Sequence, residues 1–140
     1  MFHEGDIVEI PLPDGRNAMG WILHVSKHFK HAVGFVVFGI KGQAITDVIY
    51  DSGSGKPLSA RVLGPLYTHI DNLMLAGWKT VAHQEVSESK RDWTKREVGE
   101  GVYVGDEYIG PIEEVGDSRV RPMLAMGMPV IYSEIEKAFG

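Results

Sequence analysis

The alternation of apolar and polar positions predicts a chain built mainly of β-strands. Between residues 5 and 25, two runs rich in β-branched and apolar side chains flank Pro13-Asp14-Gly15, a combination typical of tight turns. Gly15 accepts the left-handed backbone conformation that such a turn needs. Gly20, inside the second run, indicates a bulge or the close approach of another backbone. We therefore predict an opening β-hairpin across residues 5–25.

Further apolar runs predict the rest of the sheet. Residues 33–40 are nearly all apolar, which is typical of a strand buried on both faces at the centre of a sheet. Residues 78–83 alternate, which predicts a strand with Trp78, Thr80 and Ala82 on one face. The other predicted parts are short strands at 46–50 and 61–63, a Gly- and Ser-rich loop at 51–57, and a last hairpin of Val102–Val104 against Glu107–Ile109 that turns at Gly105-Asp106.

Two short helices are predicted among and after these strands. The first covers residues 70–76, with Asp71 as a candidate N-cap and Gly77 at the C-terminal position. The second covers residues 133–139, where Ser133 and Glu136 have the spacing of a capping box.

These elements define the predicted fold class, which is mostly β with minor α. We expect a strongly twisted antiparallel sheet or a small SH3-like barrel, with one or two short helices, the last at the C-terminus. The highly charged residues 85–97 fit either a mobile loop or an exposed short helix. With 140 residues and no internal repeat, the chain 1–140 is predicted to be a single domain with its own core.

Composition and charge narrow the classes of function. The chain has no cysteine, which excludes disulfides and cysteine-ligated metals and suits a reducing compartment. It shows no secretory signal and no apolar run of the ~18 residues that a membrane helix needs, so we expect a cytoplasmic protein that does not associate with membranes. The net charge of −5 disfavours general nucleic-acid binding and leans towards a basic partner, although it also fits ordinary solubility.

The opening stretch also carries a family resemblance. The sequence GDIVEIPLPDGR at residues 5–16, followed by Ala18, Gly20 and Ile22-Leu23, resembles the opening of the immunity protein 26 family of bacterial polymorphic toxin systems. The similarity returns near Gly77-Trp78-Lys79, where that family tends to carry a glycine, a basic residue and a tryptophan before a strand. The resemblance implies a small, mostly β antitoxin that binds one cognate toxin. It implies no catalytic residues.

The histidines are the first candidates for chemistry. On a helix, the spacing of His24, His28 and His31 would bring three metal ligands together. Here the spacing falls on a strand end and a turn, without a nearby carboxylate, so we predict surface histidines and no metal site. The loop at 53–57 lacks the first glycine and the Ser or Thr of a phosphate-binding loop, and no nucleophile elbow or HExxH pair is present. We therefore predict no cofactor and no catalytic residues.

An acidic stretch with interleaved tyrosines is the candidate partner-binding segment. Carboxylates combined with aromatic rings suit docking against a basic cleft, but the same residues also suit a solvated hairpin edge protected by charge, and both interpretations stay open. Trp93 stands alone in a charged run and is either an interface residue or a cover for one end of the barrel. The candidate residues are Trp93, Tyr103, Asp106, Glu107, Tyr108, Glu113, Glu114 and Asp117.

The resemblance thus implies an immunity protein that binds and blocks a cognate toxin domain without catalysis. A nuclease is one class of target, because many toxin nucleases are basic. The alternative is a small β-barrel binding module in another regulatory or nucleic-acid complex, which a basic surface patch of Lys90, Arg91, Lys95 and Arg96 would favour. A third class, an enzyme, would require histidines and carboxylates that converge in one deep pocket.

Overall fold

A computed structural model describes residues 1–29, 31–42, 62–116 and 120–140, and within that range the chain forms two β-sheets and four helices. The predicted strand at 46–50 and loop at 51–57 lie outside the described residues. The strands are β1 (Asp6–Pro11), β2 (Asn17–Val25), β3 (Ala32–Ile40), β4 (Leu63–His69), β5 (Lys79–His83), β6 (Arg96–Val98), β7 (Gly101–Val104), β8 (Glu107–Pro111) and β9 (Arg121–Pro122). The helices are α1 (Ile70–Leu75), α2 (Glu88–Arg91), α3 (Ile112–Val115) and α4 (Met128–Phe139), and a 3₁₀ turn (Asp92–Thr94) follows α2.

The larger sheet confirms the predicted mostly β class and takes the open form. Its strands lie in the order β4-β3-β2-β1-β5, and every neighbouring pair is antiparallel. Because β4 and β5 are two separate edges, the sheet is not a closed barrel. The smaller sheet has the order β8-β7-β6-β9, in which β9 runs parallel to β6.

The opening hairpin forms as predicted. In it β1 pairs with β2, so that Ile7 lies opposite Trp21 and Ile10 opposite Ala18. Gly15 has a φ of 90°, the left-handed region that favours glycine. A Cβ at Gly20 would lie 3.1 Å from Ile10 Cδ1, so the glycine lets neighbouring side chains pack against the backbone there.

The large sheet is buried on both faces, and this explains the unbroken apolar run of β3. On one face, α4 contributes Ile131 and Ile135 to a core that contains Phe35 and Trp78. On the other face lies a second core, to which the half-buried Trp93 is added from the 3₁₀ turn. All nine residues of β3 are buried, although β2 rather than β3 is the middle strand of the five. No helix among the described residues is long and apolar enough to cross a membrane.

The helix boundaries differ from the sequence prediction in two places. The last helix begins at Met128 after the N-cap Gly127, with Pro129 in its first turn, so Ser133 lies inside the helix and does not cap it. Proline suits this position because its missing N–H would have no partner there. In α1 the N-cap is His69, whose Nδ1 accepts a hydrogen bond from Asp71 N at 3.1 Å. The predicted cap, Asp71, is therefore two residues too late.

The edge strands also differ from their predicted form. The strand predicted at 61–63 overlaps the observed one only at Leu63, where β4 begins. β4 then passes through Gly64-Pro65, which an edge strand tolerates because proline's missing donor can face away from the ladder. In β5, all five residues are exposed and the pairing with β1 shifts between Ile7 and Val8. Thr80 and Ala82 therefore do not share a buried face with Trp78, which precedes the strand and is buried.

The turn glycine gives a testable prediction. Gly15→Ala should lower the free energy of unfolding by about 1 kcal/mol, because a Cβ is strained at this φ. Nothing lies within 4 Å of the added atom, so the loss should come from the backbone alone. Gly15→Asn is the matched control and should cost less, since asparagine tolerates positive φ better. Urea unfolding of the three proteins measures both effects, and equal stability of the Ala variant and the parent would contradict the assignment.

Candidate functional site

A buried arginine lies where the two sheets meet. Arg96, the first residue of β6, is 2% exposed. Its Nη1 donates hydrogen bonds to the carbonyl oxygens of Thr94 at 3.0 Å and Gly105 at 2.7 Å, and its Nε lies 3.2 Å from Met123 Sδ. These contacts bring together the 3₁₀ turn, the β7–β8 turn and the segment after β9.

Two aromatic rings enclose the same guanidinium. The central carbon of Arg96 lies 5.2 Å from the ring centroids of both Phe29 and Tyr67, a cation–π arrangement. Burial lowers the pKa of Arg96, but an arginine stays charged because its ordinary pKa is above ~12. Burial also raises the pKa of Tyr67 to about 12, so Tyr67 is a neutral phenol that donates to Thr94 O at 3.3 Å. The two rings that enclose the guanidinium are therefore uncharged.

Asp106 fastens the β7–β8 turn to the turn that follows β2. One carboxylate oxygen accepts a hydrogen bond from Ser26 Oγ at 2.6 Å and lies 3.1 Å from His24 Nε2. The other accepts from the backbone N–H groups of Lys27 at 2.9 Å and His28 at 3.3 Å. Burial alone would raise the pKa of the Asp106 carboxyl, but these hydrogen bonds together hold it well below its usual range. Asp106, which the sequence suggested as a partner-binding residue, therefore uses its carboxylate for hydrogen bonds within the chain.

A row of rings leads from this region to the surface. Phe29 lies 4.9 Å from Tyr103, and Tyr103 lies 5.4 Å from Tyr108, centroid to centroid and edge to face. Tyr108 is 56% exposed, whereas Tyr103 is half-buried. Tyr108 therefore packs on Tyr103 and still has more than half of its surface available for a partner.

Three acidic side chains lie close to Tyr108 in the sequence. Glu107 begins β8, and Glu113 and Glu114 lie in α3, which packs back on β8. All three are exposed, and within the described ranges none of them forms an ion pair. We call β7, β8 and α3, with the exposed Glu107, Tyr108, Glu113 and Glu114, the acidic hairpin. Asp117, the remaining acidic candidate, lies outside the described residues.

A pocket of about 400 Å³ opens beside Arg96. Arg96 and Lys95 are its charged lining residues, and Tyr67 adds a ring. The remainder of the lining is largely apolar: Gly64, Pro65, Leu66, Trp93, Pro122, Leu124 and Met126. No single stretch of sequence predicted this pocket, because its walls come from β4, the 3₁₀ turn and the chain around β9.

Trp93, for which the sequence left an interface role and a covering role open, lies partly in the core. Its half-buried side chain packs against the core that contains Trp21 and Phe38, and it also lines the pocket. The segment 123–128, which leads into α4, has both buried and exposed side chains. Met126 and Met128 pack against the core beneath α4, whereas Leu124 is 64% exposed.

The four basic residues that would have formed a nucleic-acid patch do not form one. Arg96 and Lys90 are buried, and Lys90 Nζ lies 5.6 Å from the centroid of the Trp21 ring. Arg91 is exposed but pairs with Glu4 at 2.7 Å. Burial of two of the four cations leaves no continuous basic surface in this segment.

The three histidines of the candidate metal set have separate environments. His24 lies against Asp106, and the His28 ring packs edge to face on Phe29 at 4.7 Å. The ring of His31 lies 6.2 Å from that of His69. Among the residues described, no group of three or more His, Cys, Asp or Glu side chains is arranged to hold a metal. Sequence reasoning missed the carboxylate partner of His24 because Asp106 follows it by 82 positions.

No protein-family model, curated protein or solved structure matches this chain.

The Asp106 contacts predict a pH-dependent loss of stability. Asp106→Asn should lower the free energy of unfolding by about 2 kcal/mol at pH 7, because it removes the charge that four donors face. The folded pKa is lowered, so the contribution of Asp106 is complete above the unfolded pKa of ~3.9 and is lost as the pH falls through the folded value. The stability difference between parent and variant should therefore shrink as the pH falls below about 4.

Denaturant unfolding from pH 7 to acid measures this difference. The control is Glu85→Gln, which changes an exposed carboxylate that makes no hydrogen bond within the described part of the chain. Its difference from the parent should be small at every pH. A constant gap between the Asp106 variant and the parent across the acid range would contradict the assigned role.

Metal removal gives a second prediction for this site. Thermal unfolding with and without a strong chelator should coincide, because His24, His28 and His31 have different neighbours and do not converge. A drop in melting temperature on chelation, restored by added zinc, would show that a metal site exists.

Proposed function

We propose that this chain is a non-catalytic immunity protein that binds a basic toxin domain in the cytoplasm and blocks it. The resemblance of residues 5–25 to the immunity protein 26 family supports this function. So does the net charge of −5, since opposite charge accelerates the encounter with a basic partner. A blocking protein has only to cover the active site of its target, so its function depends on one well-formed surface.

The observation that carries the proposal is the acidic hairpin. Glu107, Glu113 and Glu114 are exposed and form no ion pair with a cation of the described residues, and Tyr108, next to Glu107 in β8, offers an exposed ring. Tyrosine is among the residues that dominate binding energy at interfaces, and unpaired carboxylates steer a basic partner towards it. This combination suits a cleft lined by Lys and Arg, as in an enzyme that acts on nucleic acid.

The hairpin is also held in place before any partner arrives. Asp106 ties its turn to residues 24–28, and Arg96 binds the carbonyl of Gly105 in the same turn. Affinity improves when a surface does not have to be ordered on binding. Two anchors at one turn therefore favour a preorganised docking element over a mobile loop.

The alternative, a binding module in another regulatory complex, fits the same surface. Its nucleic-acid version has less support, because the burial of Lys90 and Arg96 removes the basic patch on which it depends. A toxin domain encoded beside this gene would favour the immunity function over other binding roles.

Charge reversal on the hairpin tests the proposal. The triple variant Glu107→Lys, Glu113→Lys, Glu114→Lys is compared with the parent in binding to a toxin domain found encoded beside this gene. Its association should be slower by about tenfold or more at low salt. The rate should also lose its dependence on ionic strength. Stopped-flow or surface plasmon resonance against salt measures both, and coexpression with the toxin tests growth rescue.

A variant with the same change in net charge separates local from general effects. Glu85→Lys, Glu88→Lys, Glu136→Lys alters three exposed acids outside the hairpin. It should change the rate much less, since screening weakens charges beyond about 10 Å. Equal slowing in both variants would assign the effect to net charge alone. Failure of the parent to bind or neutralise the neighbouring toxin would overturn the immunity function.

A further inference from the structure

Arg96 carries a buried charge without a close counter-ion. Within the described ranges no carboxylate oxygen lies within 4.0 Å of its guanidinium. Asp106 is near enough to interact electrostatically with it, but that carboxylate faces the four donors of residues 24–28. A buried cation is costly unless it is paired, so an unpaired one in a pocket wall indicates a binding site.

One end of the guanidinium is available for a ligand. Nη1 and Nε are occupied by Thr94, Gly105 and Met123, whereas Nη2 has no hydrogen-bond partner among the described residues. In the described part of the chain, Trp78 Nε1 is the fully buried side-chain polar atom that lacks a partner. Nη2 is not in that state and therefore retains accessible surface, although the whole residue is only 2% exposed.

The pocket beside Arg96 is large enough to hold a small molecule. Its volume of about 400 Å³ lies within the ~300–1,000 Å³ typical of ligand pockets. Such pockets are mostly apolar and hold a few polar groups that orient the ligand. Here Pro65, Trp93 and Met126 supply apolar surface and Arg96 supplies the charge.

We propose that this pocket binds a small carboxylic acid with an apolar or aromatic body, whose carboxylate accepts a hydrogen bond from Arg96 Nη2. The apolar body packs between Pro65, Trp93 and Leu124. The site is separate from the acidic hairpin, and it does not depend on the immunity function.

The chemistry of the pocket selects for charge and shape together. A carboxylate supplies the missing counter-charge, and charge-assisted hydrogen bonds from arginine are about twice as strong as neutral ones. The nearby Tyr67 hydroxyl is neutral, so it does not repel an anion. An amide of the same shape would leave the positive charge uncompensated.

Paired probes test this selectivity. Phenylacetate and phenylacetamide have nearly the same shape, and only the first is an anion at pH 7. We expect phenylacetate to bind at least about tenfold more tightly by calorimetry, and to perturb Trp93 fluorescence and the side-chain NMR signal of Arg96. Equal binding of the two probes, or no binding of phenylacetate up to about 10 mM, would overturn the proposal.

The key variant avoids the buried arginine, whose replacement could unfold the junction. Leu124→Glu introduces a negative charge at an exposed lining residue. It should weaken phenylacetate binding about tenfold or more while leaving the melting temperature close to that of the parent. Val130→Glu, at an exposed apolar position on α4 outside the lining, is the matched control and should bind as the parent does. Unchanged binding in the Leu124 variant would place the carboxylate elsewhere and overturn the assignment.

Discussion

One buried arginine, Arg96, connects the smaller sheet to the larger sheet and to the 3₁₀ turn through its hydrogen bonds and ring contacts. Arg96 begins the smaller sheet, and one of the rings that enclose it belongs to β4 of the larger sheet. Its Nη1 binds the backbone of the β7–β8 turn and of the 3₁₀ turn. Removal of water from the guanidinium is costly, and the two carbonyl acceptors and the two rings offset part of that cost. The position of the acidic hairpin depends on this balance.

The two proposals, toxin binding and binding of a small carboxylic acid, both depend on the region around Arg96. At the surface, Asp106 and Arg96 hold a turn whose flanking strands present Tyr108 and Glu107 to solvent. Inside, Arg96 lines a pocket of about 400 Å³. The surface arrangement supports protein binding by charge and aromatic contact, and the pocket supports recognition of an anion. The two share Arg96, but the contact surfaces differ: Tyr108 and Glu107 lie on the hairpin, whereas Pro65 and Leu124 line the pocket.

Two charged side chains of the segment 85–97 are buried, so the charges in its sequence do not all correspond to charges on the surface. The sequence places Lys90, Arg91 and Arg96 close together and so suggests a basic surface. In the structure, Lys90 and Arg96 are buried against aromatic rings. Long basic side chains cover apolar surface well, so a charged run can form part of a core. The same reasoning applies to Asp106, whose carboxylate is engaged by the chain itself and contributes rigidity to the hairpin rather than charge to its surface.

The sequence by itself determined the mostly β class, the opening hairpin with its left-handed Gly15, the fully buried run of β3 and the β7–β8 hairpin. Each of these depends on local turn chemistry or on periodicity, which neighbouring residues decide. Tertiary structure alone decided that the sheet stays open, that α4 begins at Met128, and that His24 meets Asp106 from 82 positions away. It also decided that Arg96 is buried beside a pocket built from three distant segments. Contacts between distant residues have no signature in the local pattern, because their free energy comes from burial and pairing that exist only once the chain has folded.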